Sequence, residues 1–217
     1  MRIQEETSHK IRNMSLLCSF LVVSIHVPWP HNETLSVGWF MYNSLAQGLS
    51  RIAVPFFFVV SGFFLAGHFD DKGWWKNEVS KRIATLLVPF VFWCIATIVA
   101  TAPLSIVADI LAQRPFGTSI VLLHDSYWLQ LVGLDFTKFP AHVPLWYIRC
   151  LLLFVVTSPV FKFGVERFGW AWLAVAFCFY LVYNHIHNIP EFREFFRVGF
   201  SALGIFYFSV GVFLRRR

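Results

Sequence analysis

The sequence predicts an all-α, polytopic transmembrane helix bundle of about six spans, from its composition, the length of its apolar runs and the places where its basic residues fall. Of 217 residues, 57% are hydrophobic and 14% charged, against about 45–50% and about 25% in an ordinary soluble domain. With 26 Phe and 9 Trp, the chain carries more apolar surface than an interior of this size can hide, so lipid must take the excess.

Six apolar segments follow in order, at 14–30, 52–67, 83–102, 144–163, 170–186 and 199–214, each near the ~17–25 residues that cross a bilayer as a helix. The first begins after Lys10 and Arg12 and lacks a small-x-small cleavage site, so it stays in the chain as a span instead of leaving as a signal peptide. It and the second are short, and flanking residues or a thinner bilayer complete them. Pro55 falls in the first turn of the second helix, where a missing N–H costs little. Pro89 and Pro159 lie inside spans and are expected to bend them. Residues 103–112 extend the third helix after a break or lie in the interface. The hydrophilic stretch 113–143, with His124, Asp125, Asp135 and His142, caps the outer face. The whole chain, 1–217, reads as one membrane-embedded domain.

Orientation follows from charge. A cytoplasmic N-terminus places most of the basic residues, among them Lys10, Arg12, Lys81, Arg82, Lys162 and Arg215 to Arg217, on the inner face, with the C-terminus inside too. The net charge of +6 therefore reads as a topology signal beside spans and argues against nucleic acid as a partner. Cys18, Cys94, Cys150 and Cys178 each lie in an apolar segment without C-x-x-C spacing, as small buried hydrophobes outside any disulfide or zinc framework. His185 and His187 are two apart and diverge on a helix, so no metal site is expected.

The chemistry-bearing candidates are ionisable groups in apolar surroundings. His26 lies toward the outer end of the first helix, Arg51 opens the second from the outer side, and Arg149 sits in the first turns of the fourth. An arginine facing lipid costs several kcal/mol, so Arg149 should face the bundle interior or a wet cavity. A lone intramembrane His beside fixed positive charges suits a general base toward a substrate hydroxyl, with the arginines holding an oxyanion or phosphates. The structural alternatives are arginines that snorkel to the interface and a histidine hydrogen-bonded in place. Ser61 and Gly62, mid-way along the second helix, let either a neighbouring helix or a thin ligand chain approach the backbone.

Several stretches carry a resemblance. Arg51-Ile52-Ala53-Val54-Pro55-Phe56-Phe57-Phe58-Val59-Val60-Ser61-Gly62-Phe63 resembles the second-helix signature of acyltransferase family 3, the bacterial integral-membrane O-acyltransferases. Lys81-Arg82-Ile83-Ala84-Thr85-Leu86-Leu87-Val88-Pro89-Phe90 resembles the family's basic entry to its third helix. Pro144-Leu145-Trp146-Tyr147-Ile148 with Ser158-Pro159 is similar to a later Leu-Trp-Tyr helix, and Leu21-Val22-Val23-Ser24-Ile25-His26 to the run that ends in the family's histidine. The chain departs at Ser15, where many members carry an arginine, and Arg12 is the nearest basic residue. Members also carry more spans, so the resemblance implies the N-terminal part of a longer family domain.

The resemblance implies transfer of an acyl group, usually acetyl from acetyl-CoA, to a hydroxyl of a cell-surface polysaccharide, lipopolysaccharide or lipid-linked sugar, at the bacterial inner membrane. His26 would be the catalytic base, and Arg51 and Arg149 would stand near the acceptor or the developing oxyanion. Lys81, Arg82 and Arg12 would meet CoA phosphates, and Ser61, Gly62, Trp146 and Tyr147 would line the substrate path. Acyl-CoA is then a co-substrate, with no bound cofactor. Two other classes compete: a transporter or flippase for an anionic or sugar substrate, and an inactive truncated remnant.

Overall fold

In the computed structural model, the residues described are 5–26, 36–113, 135–136, 139–140, 143–183, 185 and 189–217, and all regular structure among them is helical. His124, Asp125, Lys138, His142 and His187 lie outside the described residues. In chain order the α-helices are α1 (Glu5–Ile25), α2 (Val37–Tyr42), α3 (Ala53–Ala66), α4 (Trp74–Arg82), α5 (Val88–Leu111), α6 (Trp146–Val156), α7 (Ser158–Phe168), α8 (Trp170–Tyr183), α9 (Pro190–Glu194) and α10 (Ala202–Arg216). The chain divides into two compact units, one of 1–68 with 207–217, the other of 69–206.

The exposed positions are those of a membrane protein: Phe20, Val88, Phe92, Val99, Leu104, Phe163 and Val175 stand outward, while Phe58, Phe69, Phe90, Phe154 and Phe208 fill the interiors. Two helices among the described residues are long and apolar enough to cross a membrane, Val37–Ala66 and Trp74–Leu111, of 30 and 38 residues. Two further candidates are bent pairs, α6 with α7 at 64°, and Pro190–Gly199 with α10. The six regular spans expected from the sequence thus reduce here to two continuous helices and up to two broken ones. α1 is apolar only over its second half, and residues 27–30, expected to complete it, lie outside the described residues. α8 has 14 residues, ~21 Å at 1.5 Å per residue, short of the ~30 Å hydrocarbon core.

The second expected span is longer than its apolar run because Ser36 caps α2, accepting from the Trp39 N–H at 3.1 Å, and a π turn (Asn43–Gly48) and a 3₁₀ turn (Leu49–Ile52) carry the helix into α3. Pro55 lies in the first turn of α3, as its missing N–H requires. Pro89, by contrast, does not break its helix. A five-residue π segment, Ile83–Leu87, precedes it and widens the turn where its ring would meet the backbone one turn earlier, and Pro89 sits in the first turn of α5. Pro103 lies inside α5, so 103–111 continue the third helix directly. Pro159 marks a real bend, the 64° turn at Thr157 between α6 and α7. Gly73, at φ +71°, begins α4 from the left-handed region, which a side chain would disfavour. Cys18, Cys94 and Cys150 are buried, but Cys178 is exposed on α8, contrary to expectation. It lies on a short apolar helix with much of its surface outward, so no protein neighbour covers it among the described residues.

In the first unit, α3 meets the C-terminal part of α10 through two glycines. A methyl group on Gly62 would run into the carbonyl of Phe208 and stand 3.2 Å from the Val212 nitrogen. One on Gly211 would run into the carbonyl of Val59 and stand 2.8 Å from the Phe63 nitrogen. Each glycine therefore admits the other helix's backbone, the close approach on which packing in lipid relies. Arg215 lies over the Phe63 ring at 5.1 Å on the same seam. In the second unit, side-chain donors fasten helix ends. Trp75 Nε1 donates to Val156 O at 2.9 Å, where α6 stops, and Lys162 Nζ donates to Phe69 O at 2.7 Å.

The glycine seam sets an expected outcome. Gly211→Ala should lower the midpoint of thermal unfolding in detergent by an amount equivalent to ~1–3 kcal/mol, the usual cost of overpacking. Gly73→Ala, whose added methyl meets nothing within 4 Å, should cost less and only through backbone strain.

Candidate functional site

Within the first unit, the structure brings two of the predicted residues to one end of a helix pair. α1 rises to Ile25, and His26 follows in a turn, its N–H bonded to Val23 O at 3.0 Å. Two residues before it, Ser24 Oγ lies 2.8 Å from Ser50 Oγ. Ser50 is fully buried and precedes Arg51 in the 3₁₀ turn that opens α3. This hydroxyl contact fixes the end of α1 to the start of α3, so His26 and Arg51 flank one tie. Ser24 Oγ also lies 2.7 Å from Leu21 O and Ser50 Oγ 2.8 Å from Leu45 O. Each hydroxyl has one hydrogen, so the bond across the pair uses one of them and the accepting serine donates to its own carbonyl. Both serines line a cleft of ≈ 530 Å³ with Leu21, Gly38, Met41 and Tyr42. His26 and Arg51 themselves are exposed.

The other first-unit candidates lie elsewhere. Arg12 bonds His9 Nδ1 at 2.9 Å on the exposed polar half of α1, 14 residues or ~21 Å of helix before His26. Ser61 is half-buried, and the space beside Gly62 is taken by α10, so this glycine serves helix packing.

Arg149 belongs to the second unit and is buried, at 4% exposure, as its cost in lipid requires. Its Nη1 donates to Asp135 O and its Nη2 to Val198 O, both at 2.8 Å, and the guanidinium lies 5.6 Å from the centre of the Phe136 ring. Next to it, the Cys150 thiol donates to Gly199 O at 3.1 Å. The Val198 and Gly199 carbonyls belong to a π turn, Phe195–Gly199, which gives way at Phe200 and Ser201 before α10 begins. A helix broken at membrane depth frees carbonyls that only protein can satisfy, and Arg149 with Cys150 satisfies them. Ser201 restarts the helix by accepting from the Gly204 N–H at 3.1 Å. Trp146 and Tyr147, half-buried, form the turn of α6 before Arg149.

Lys81 and Arg82 end α4 around a carboxylate that sequence reasoning passed over. Glu78 is 6% exposed, with Lys81 Nζ at 3.9 Å and Arg82 Nη2 at 3.6 Å, ion-pair distances too long for hydrogen bonds. Asp109, fully buried near the end of α5, was passed over too. The available signal was a single carboxylate in the apolar run Pro103–Leu111, since charges at such places are seldom without a purpose.

A family model described as an acyltransferase domain matches residues 10–217. The chain belongs to this acyltransferase family. Among curated proteins, it is similar to the succinoglycan biosynthesis protein ExoH of Rhizobium meliloti (strain 1021), 26% identical over 175 residues. That match takes in 74% of this chain and 44% of ExoH, so the chain spans less than half the length of the curated relative it matches. No solved structure matches the chain. The sequence resemblance is thereby confirmed at the level of family.

The Arg149 clasp has a measurable consequence. Arg149→Met takes the guanidinium donor from Asp135 O and from Val198 O, the second of which keeps only the longer Cys150 Sγ contact at 3.7 Å. At about 1–3 kcal/mol for a buried group left unpaired, the variant should unfold at clearly lower temperature in detergent. Arg149→Lys, with one point charge in place of a fork, should recover part of the loss. A methionine variant as stable as the parent would refute the clasp.

Proposed function

We propose that this chain is a membrane-embedded O-acyltransferase, which moves an acyl group, acetyl in the first instance, from acyl-CoA to a hydroxyl of a cell-surface polysaccharide. The observation that carries this reading is the family match over residues 10–217, and the likeness to a succinoglycan biosynthesis protein supports the carbohydrate acceptor.

His26 is the base in this reading. Its imidazole takes the proton of the acceptor hydroxyl as the oxygen attacks the thioester carbonyl. The tetrahedral oxyanion gains from a nearby fixed positive charge, the role given to Arg51, whose turn is tied to that of His26 through Ser24 and Ser50. Collapse breaks the carbon–sulfur bond, and the departing thiolate takes the proton back from the imidazolium. Arg149 acts at the same reaction in a supporting place, holding the broken helix before α10. Lys81 and Arg82 receive the CoA phosphates from the cytoplasmic side, where the positive-inside pattern puts them. In this arrangement both termini are cytoplasmic, α1 and α8 complete six crossings with their flanking residues, and the protein resides in the bacterial inner membrane.

The test is transfer of label from radiolabelled acetyl-CoA to a purified polysaccharide by protein reconstituted in lipid discs. His26→Ala should lower the initial rate by about 10²–10⁴-fold, the usual worth of a positioned base, with unfolding temperature unchanged. A variant as fast as the parent removes His26 from this role, and a folded parent that transfers no label removes the acyltransferase reading.

A further inference from the structure

A second cleft, of ≈ 420 Å³, lies within the second unit between the start of α4 and one face of α7. Trp74 and Trp75 form one wall. Pro159, Lys162, Phe163 and Glu166 form the other, at the spacing of i, i+3, i+4 and i+7 that places them on a single helix face. None of these residues has a part in the proposed acyl transfer.

The cleft combines charges of both signs with two indoles. Lys162 is half-buried; among the described residues it gives one hydrogen bond, to Phe69 O at 2.7 Å, and its ammonium stands 5.7 Å from the ring centres of both Phe69 and Trp74. An ammonium has three donors, so two remain to meet an anion entering the cleft. Glu166, one turn further along α7, brings a carboxylate, about 5–6 Å away between Cβ atoms at this spacing. Indole faces attract cations; the Trp74 ring already packs on Phe69 beside the Lys162 ammonium, so the Trp75 indole is the one that favours a ligand ammonium near that carboxylate. A ligand that answers the whole lining carries an anion and a cation a short distance apart.

The surroundings say where that ligand comes from. α7 turns 64° away from the apolar α6 and holds Lys162, Glu166 and Arg167 within its last two turns, a density of charge that belongs at a membrane interface and not in hydrocarbon. On the same helix Val160 and Phe163 are 57% and 63% exposed, and Phe163 also edges the cleft. A headgroup would thus sit in the cleft while its chains lie along exposed Val160 and Phe163. Tryptophan and lysine at headgroup depth are the residues that such a position favours.

We propose that this cleft binds the phosphoethanolamine headgroup of a membrane phospholipid, with phosphate on Lys162 and the primary ammonium between Glu166 and the Trp75 indole. The site stands independently of the acyltransferase reading.

Native mass spectrometry of the full chain, released from discs that contain phosphatidylethanolamine and phosphatidylglycerol, tests it. The parent should retain phosphatidylethanolamine in preference. Glu166→Gln, which keeps the shape and removes the charge that answers the ammonium, should weaken that retention at least about tenfold, equivalent to ~1.4 kcal/mol. Lys162→Gln should weaken retention of both lipids, and Glu166→Gln serves alone if loss of the Phe69 contact unfolds the lysine variant. Free phosphoethanolamine at equal concentration should displace nothing, because it lacks the chains. Equal retention of the two lipids by the parent, unchanged retention in Glu166→Gln, or displacement by free phosphoethanolamine would each overturn the proposal.

Discussion

A backbone carbonyl that a helix has released needs a donor from elsewhere, and the second unit of this protein is organised by that need. Its helices are interrupted at Thr157, at Phe200 and around Phe69, and at each interruption a side chain from elsewhere supplies the missing donor. Trp75 serves Val156 O, Arg149 serves Val198 O, and Lys162 serves Phe69 O. Two of the three donors are cations, and cations make the stronger hydrogen bonds where the surroundings are apolar. The arrangement explains how charged residues can be few in this chain and yet be found inside it. They are placed where irregular backbone needs them.

Regular helix alone would have avoided the problem, so the interruptions call for a reason. Straight helices of equal length pack along their whole faces, whereas bent ones leave clefts, and clefts are where small molecules bind. The first unit takes the other course. There α3 and α10 close on each other through Gly62 and Gly211, with no cavity between their backbones, and the irregular turns are confined to the segment that precedes Arg51. Rigidity at the glycine seam and irregularity beside His26 thus occupy opposite stretches of the same long helix.

Much of this was legible in the residues, and the remainder was hidden for physical reasons. Membrane character followed from composition alone, the family from four short stretches, and the burial of Arg149 from the cost of its charge in lipid. The partners of Arg149 were not legible, because a guanidinium that bonds carbonyls leaves no signature at the acceptor positions, where any residue offers the same oxygen. Pro159 announced a bend that exists. Pro89 lies in a helix that runs on unbroken, since a proline can be absorbed by a wider turn whose sequence, Ile83-Ala84-Thr85-Leu86-Leu87, has nothing unusual in it. Gly62 admitted two readings, and only the position of Phe208 chose between them. Glu78 was obscured by the basic residues around it: it reads as one member of a solvated charge run until its burial is seen.

The π segment before Pro89 also bears on how this chain is compared with its relatives. A wide turn uses one residue more than an α-helical turn to cover nearly the same rise, so it offsets the register of everything that follows on the helix. A homologue with an ordinary turn at this place would present the same faces of α4 and α5 with one residue fewer. A single-residue gap in an alignment here is therefore the trace of a conserved shape, and forcing the two sequences into gapless correspondence would pair lipid-facing positions with buried ones along the whole of α5.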